Sequence, residues 1–346
     1  MHPSFKINNQ SFTKQSIVTY SEELLSSHEV YLQEVGLFLK EWLNDEDHVI
    51  VKTSGSTGVP KDIKLLKKHM RHSALATGAY FNVKENSTAL LCLSANYIAG
   101  KMMLVRAMVL GWNIHVTSPS SQPLKDEKYY DFAAMVPLQV ATSLHKLSHI
   151  KQLIIGGAPV SQSLQEQLYK VNTKCYVTYG MTETCTHVAV KSLQKNAKDL
   201  YSAIANVRFS KDNRDCLVIN APNVVEESIV TNDVVELLSE TEFNWLGRYD
   251  SIVNSGGVKL FPEAIEKKIS GSISDRFFVA GVADETLGER LILVIEGEAD
   301  EQLNSNRLSE LLLKYEIPKQ IYCLKQFKET PTGKIHRLDT LKLLFS

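Results

Sequence analysis

The sequence predicts an α/β protein in two parts. A large N-terminal domain has mainly parallel sheets flanked by helices plus a β-rich segment, and a small α/β domain follows. Three observations predict this. Between residues 89 and 177, apolar runs of strand length alternate with helical patterns, which is the signature of parallel strands covered on both faces. From about Tyr201 the texture changes to short β runs with no helical pattern between them. After Gly247-Arg248-Tyr249-Asp250 an α/β pattern resumes. We place the boundary there, giving domains 1–249 and 250–346.

The elements follow in order. Residues 1–20 read as an irregular or short β lead-in. Ser21 to Asn44 reads as one amphipathic helix, with Val35, Phe38, Leu39 and Trp42 on one stripe. Val49-Ile50-Val51 is a buried strand, and Ile63-Lys64-Leu65-Leu66 is the returning arm of a hairpin. Lys67 to Tyr80 is helical. His69 and His72 lie three apart on it, but with no third ligand nearby they read as solvated histidines. Then come strand Ala89–Leu93, helix Ile98–Val109, strand Asn113–Val116, a helical stretch around 125–135 and another around 140–148. Strand Gln152–Ile155, helix Ser161–Tyr169 and strand Cys175–Val177 complete the alternation. In such sheets, ligands collect beyond the carboxyl ends of strands. Two strands run into suggestive turns, Gly156-Gly157-Ala158-Pro159 and Tyr179-Gly180-Met181-Thr182-Glu183. The small domain reads as helix Pro262–Ile269, strands near 277–282 and 291–295, helix Arg307–Tyr315, and a loop from Lys328 to Lys334.

Composition excludes several classes. The 346 residues are 44% hydrophobic and 22% charged, with 38 Lys and Arg against 39 Asp and Glu. No global field points to nucleic acid. Five scattered cysteines without a C-x-x-C pair indicate reduced thiols in a cytosol rather than disulfides or zinc. The N-terminus lacks a signal-peptide pattern, and no apolar run reaches spanning length. The expectation is a cytoplasmic protein with no membrane insertion.

The densest chemical signal is Thr53-Ser54-Gly55-Ser56-Thr57-Gly58-Val59-Pro60-Lys61. Glycines let backbone N–H groups converge on phosphate oxygens, hydroxyls donate further bonds, and a lysine supplies positive charge. It is not a P-loop: counting from Gly55, Pro60 occupies the second glycine position and Asp62 follows the lysine. Alone, such a run also suits a surface turn.

This stretch resembles the phosphate-binding signature of the acyl-adenylate-forming superfamily, which includes acyl-CoA ligases, luciferases and peptide-synthetase adenylation domains. Further motifs recur in that family's order. Tyr179-Gly180-Met181-Thr182-Glu183 resembles Y-G-x-T-E, and Gly156-Gly157-Ala158 the turn approaching adenine. Thr231-Asn232-Asp233 stands where the family carries T-G-D, with asparagine in place of glycine. Gly247-Arg248-Tyr249-Asp250 resembles G-R-x-D, and Pro331-Thr332-Gly333-Lys334 the C-terminal catalytic loop.

The resemblance implies an ATP- and Mg²⁺-dependent activation of a carboxylic acid, followed by transfer to coenzyme A. Lys334, Thr182 and Glu183 would be catalytic, with Glu183 holding the metal. The phosphate loop, Lys61, the Gly156–Ala158 turn, Tyr179, Gly180, Asp233 and Arg248 would hold the nucleotide. Asp250 would be the hinge of a mobile C-terminal domain, and Gly256 and Gly257 would border the CoA channel. Each residue also has a structural reading: Tyr179 as core, Glu183 as a helix cap, Asp250 in a turn, Lys334 as a solvated lysine. A stand-alone adenylation enzyme loading a carrier protein would share every motif, and a non-catalytic nucleotide-binding module would need neither Glu183 nor Lys334. The family carries a longer segment before its phosphate loop than the 52 residues here, so the resemblance implies a trimmed form. The partners implied are small molecules; a homo-oligomer stays open.

The acid site is implied around Leu93 to Arg106, where Tyr97 takes the place of the family's histidine. Lys101 and Arg106 lie on an otherwise apolar helix. They either snorkel to water or meet a second carboxylate on a dicarboxylic aryl acid.

Overall fold

The computed structural model describes residues 1–52, 61–298, 305–329 and 335–345. Among them a thirteen-stranded sheet draws its strands from between Lys6 and Arg248. Its parallel half runs Lys6–Ile7, Asn113–Val116, Thr88–Leu91, Tyr130–Met135, Ile150–Ile155, Lys174–Gly180. The sheet then changes sense. Strand His187–Ser192 pairs antiparallel with Lys174–Gly180, and Tyr201–Ala203, Glu242–Arg248, Ile229–Ser239, Cys216–Asn220 and Arg208–Lys211 continue antiparallel to the edge. Lys174–Gly180 is thus the seam, and the Tyr179–Glu183 motif extends from its carboxyl end.

The parallel strands form because both of their faces are buried. Ala89, Leu90 and Leu91 are at most 1% exposed, as are Leu153 and Ile155. Helices Lys67–Phe81 and Ile98–Leu110 pack together beside them. Each helix ends in a left-handed residue, Asn82 and Gly111, which satisfies terminal carbonyls. Pro137 opens helix Pro137–Thr142, where its missing N–H is harmless.

Four expectations need correction. The helix expected from Ser21 to Asn44 is two, Lys14–Leu25 and Val30–Leu43. Between them Ser26 Oγ donates to Glu22 O and Gln33 Nε2 donates to Ser27 O, local bonds that compete with a continuous helix. Gly36 lets the pair touch: a Cβ there would stand 2.7 Å from Ser21 O. The stretch 125–135, expected as helix, contains central strand Tyr130–Met135; flanking parallel partners override the helix preference of its alanines. The helix around 140–148 is helix Pro137–Thr142 followed by the tighter turn Leu144–His149. Helix Arg307–Tyr315 is the shorter Ser305–Ser309.

The second, five-stranded sheet contains Val253–Ser255, Val258–Leu260, Phe277–Asp284, Gly288–Glu296 and Gln320–Leu324. Helix Pro262–Ile269 covers one face through Ile265 and Ile269, which pack with Val279, Leu291 and Leu293. Phe278, Ile292, Val294 and Phe327 fill the other face. The short turn Tyr249–Ser251 joins the two sheets. A hairpin, His48–Lys52 with Asp62–Leu66, stands apart as its own two-stranded sheet. No helix among the described residues is long and apolar enough to cross a membrane.

Candidate active site

The centre of the site is Asp233, a carboxylate only 8% exposed. Antiparallel pairing sets Asp233 opposite Arg248. Tyr179, on the seam strand, donates its hydroxyl to Asp233 Oδ2 at 2.6 Å, and Trp245 Nε1 donates to Oδ1 at 3.1 Å. Arg248 Nη1 lies 4.0 Å from the same Oδ1. The Asp233 N–H is held by Thr231 Oγ1 at 3.0 Å. Burial, and then the Asp233 carboxylate, hold the Tyr179 phenol well above its ordinary range, so it remains a donor at neutral pH. Arg248 also reaches Asp250, with Nε 3.2 Å from Oδ1. Tyr179, Asp233, Arg248 and Asp250 therefore form one chain of contacts.

The glycine turn lies beside them. Gly156 follows strand Ile150–Ile155 and donates its N–H to Met135 O at 3.2 Å. A Cβ on Gly156 would stand 2.6 Å from Thr178 Oγ1, on the residue preceding Tyr179. Gly157 has φ +84°, which favours glycine, and Ala158 after it is exposed. Gly180 is fixed by space: a Cβ would meet Thr186 O at 2.2 Å.

Beyond Gly180 the turn Thr182–Thr184 leaves Glu183 exposed. Cys185 then adopts φ +60°, ψ −40°, and the Thr186 N–H donates to Thr184 O at 2.7 Å. This is a γ-turn at a strained non-glycine position, a feature that concentrates at functional sites. Strand Asp62–Leu66 comes within 8 Å of the Thr182–Thr184 turn, measured between Cα atoms. Lys61 precedes that strand and is exposed. Thr53, Ser54, Gly55, Ser56, Thr57 and Gly58 lie outside the described residues, as does Lys334.

Arg106 is 1% exposed and has no carboxylate partner among the described residues. Its Nε donates to Thr77 Oγ1 and its Nη2 to Thr186 Oγ1, both at 3.3 Å, and Nη2 lies 3.5 Å from His187 Nδ1. Burial lowers its pKa to about 9. His187 is fully enclosed, and burial followed by the Arg106 charge keeps it neutral. Its Nε2 lies 3.3 Å from Thr77 Oγ1.

Lys101 is not with Arg106, and neither residue snorkels. Lys101 is buried, its Nζ 3.0 Å from Glu41 Oε2 and 4.7 Å from the Phe38 ring centre. Its charge is compensated from helix Val30–Leu43 rather than offered to a ligand. Tyr97 is 57% exposed. Gly256 and Gly257, at φ +57° and +82°, form the tight turn of the small sheet's first hairpin. His69, expected to be solvated, is buried, while His72 Nδ1 lies 3.1 Å from Asn223 O. No group of three metal-ligating side chains occurs among the described residues. Sequence patterning does not single out Trp245, Thr186 or His187; the only signal is a hydroxyl and an imidazole immediately before the apolar run Val188-Ala189-Val190.

Comparison with known proteins gives the chain's family and fold. The profile described as AMP-binding enzyme matches residues 9–208. A 2-succinylbenzoate–CoA ligase of Bacillus cytotoxicus is 24% identical over 382 aligned positions, covering 98% of this chain and 78% of that protein. The solved structure of an acyl-CoA synthetase (AMP-forming)/AMP-acid ligase II-like protein from Dyadobacter fermentans is 35% identical, with a TM-score of 0.64. That match covers 94% of this chain and 98% of the other. The fold is shared too with o-succinylbenzoate coenzyme A synthetase of Bacillus subtilis in complex with ATP and magnesium ion, at 20% identity and a TM-score of 0.68, over 84% and 69% of the two chains. The profile match takes in the seam strand, its Tyr179–Glu183 turn and the buried Arg106, and this chain belongs to the family of AMP-binding enzymes.

Proposed function

We propose that this chain is an AMP-forming acid–CoA ligase whose acid is dicarboxylic and aromatic, o-succinylbenzoate, as in menaquinone biosynthesis. The name carried by the curated relative supports the substrate. The observation that carries the reading is Arg106: a buried guanidinium bonded only to neutral groups among the described residues, one of which, Thr186, lies three positions after Glu183. An unpaired buried cation is costly, and a ligand carboxylate would compensate it. A fatty acid or a benzoate has no second carboxylate for it.

In the reaction proposed, a carboxylate oxygen of the acid attacks the α-phosphorus of ATP. The bond to pyrophosphate breaks, giving an acyl-adenylate and free pyrophosphate. The thiol sulfur of coenzyme A then attacks the acyl carbon, AMP leaves, and the thiol proton is lost. The first step brings two anions together; their repulsion at 4 Å is about 4 kcal/mol at an effective dielectric near 20. In this reading Lys61 and Lys334 supply positive charge. Asp233 accepts from the ribose hydroxyls, Arg248 faces the ribose and phosphate, and Tyr179 and the Gly156–Gly157 turn border the adenine. One exposed carboxylate, Glu183, suits Mg²⁺, which keeps several waters and takes one or two protein carboxylates plus phosphate oxygens. When bound, the ion would neutralise phosphate charge. In this reading Asp250 is the pivot, since it lies between the last strand of the large sheet, which ends at Arg248, and the small sheet, which begins at Val253. Gly256 and Gly257 follow it toward the thiol's path.

The test is pyrophosphate release with o-succinylbenzoate, benzoate and a medium-chain fatty acid in parallel, with free coenzyme A as acceptor. The expected result is strong preference for o-succinylbenzoate. Preference for a monocarboxylate overturns the substrate, and failure to use free coenzyme A overturns the acceptor.

A further inference from the structure

Asn232 stands beside Asp233, and the structure shows what holds it. Arg214 lies in the turn between strands Arg208–Lys211 and Cys216–Asn220. The Asp212 carboxylate organises that turn, accepting from the N–H groups of Arg214 at 2.8 Å and Cys216 at 2.9 Å. It also accepts from Arg214 Nε at 2.8 Å. The guanidinium is thereby aimed. Its Nη1 donates to Asn232 Oδ1 and its Nη2 to Thr231 O, both at 3.1 Å. Its face lies 5.1 Å from the ring centre of Tyr249, the residue immediately before Asp250.

These contacts close a ring. Arg214 holds Thr231 and Asn232; Thr231 Oγ1 accepts the Asp233 N–H; Asp233 faces Arg248 across the strand pair; Tyr249 follows Arg248 and returns to Arg214. A planar fork is needed to serve two acceptors in one direction, a carboxylate in another and a ring on its face. A lysine could keep the charge and the ring contact but not the fork.

We propose that Arg214 is a positioning residue that couples the nucleotide-binding Asp233 to the turn Tyr249–Ser251, so that nucleotide occupancy and the pivot between the sheets influence each other. It touches no substrate. The coupling of the pivot to turnover rests on the ligase reading above, whereas the link from Arg214 to nucleotide affinity does not.

The experiment uses the full chain with Arg214→Met, Arg214→Lys, Tyr249→Leu and the double variant Arg214→Met/Tyr249→Leu. AMP binding is measured by calorimetry, and thioester formation is measured from supplied acyl-adenylate. Arg214→Met should weaken AMP about tenfold, as loss of charge-assisted bonds at a half-open site implies, and should slow thioester formation. Tyr249→Leu should slow thioester formation while leaving AMP affinity within about twofold, because only the ring contact is lost. The double variant should form thioester no more slowly than the slower single variant, since both remove one link. Arg214→Lys should weaken AMP yet keep the thioester rate, a split that a purely structural arginine would not produce. Should Arg214→Met fail to fold, Arg214→Lys and Tyr249→Leu carry the test. Unchanged AMP affinity in both Arg214 variants, or additive slowing in the double variant, overturns the coupling. A wild-type chain that binds AMP but shows no acid-dependent ATP–pyrophosphate exchange overturns the ligase reading instead.

Discussion

Replacing Arg106 by methionine separates a binding cation from a structural one. Burial lowers the guanidinium from its ordinary range to about 9, a shift worth about 5 kcal/mol against the charged form. The sign follows from linkage. Because the folded pKa is depressed, the penalty is complete at every pH below about 9, and it is relieved only as pH rises from there toward the unfolded value. At neutral pH the unliganded protein therefore carries it in full. Methionine removes it and leaves Thr77, Thr186 and His187 with weaker partners, a loss of about 1–3 kcal/mol. The net gain of about 2–4 kcal/mol should raise the melting temperature of the unliganded variant by about 4–16 °C, at about 2–4 °C per kcal/mol. Catalysis should respond selectively. Removing one partner of a buried charge pair costs about 3–5 kcal/mol, so kcat/KM for o-succinylbenzoate should fall about 10²- to 10⁴-fold. With benzoate it should stay within about threefold. Thermal unfolding without ligand and initial-rate pyrophosphate release provide the two readouts. Equal losses with both acids, or a variant melting well below wild type, would show that Arg106 serves the core and not the substrate.

The remaining predictions address the nucleotide side. Tyr179→Phe removes the 2.6 Å donor to Asp233 but leaves Trp245 and Arg248 in place. KM for ATP should rise about tenfold with kcat nearly unchanged, as measured by varying ATP at saturating acid. Gly180→Ala puts a Cβ against Thr186 O, which belongs to the backbone and cannot swing aside. Denaturant titration should show destabilisation of about 1–3 kcal/mol, with loss of adenylate formation in the remaining folded protein. Lys334→Ala should abolish adenylate formation from ATP yet retain thioester formation from a supplied adenylate; survival of both half-reactions would remove Lys334 from its role.

The alternation of the central parallel strands is legible where a strand carries an unbroken buried apolar stretch, as in Ala89–Leu91 and Leu153–Ile155. Tyr130–Met135 is not, since Ala133, Ala134 and Met135 favour helix and only neighbouring strands force them straight. That the parallel and antiparallel strands form one sheet is equally invisible, because the join depends on His187–Ser192 pairing back along Lys174–Gly180. Within the site, residue types were readable and their partners were not. Tyr179 meets Asp233 from 54 positions away, through an antiparallel register that no local pattern encodes. Lys101 and Arg106 look alike as basic residues on an apolar helix. Glu41, 60 positions before Lys101, claims one and leaves the other without a carboxylate among the described residues.

The γ-turn at Cys185 has a practical consequence for altering substrate range. Glu183, proposed to face the metal, and Thr186, a partner of Arg106, are separated by so little chain that neither can be relocated independently. If the proposed roles hold, an insertion or an extra degree of backbone freedom between them would detach the grip on the acid from the grip on ATP. Libraries aimed at new acids should therefore leave residues 182–187 untouched and vary the helices around Arg106 instead.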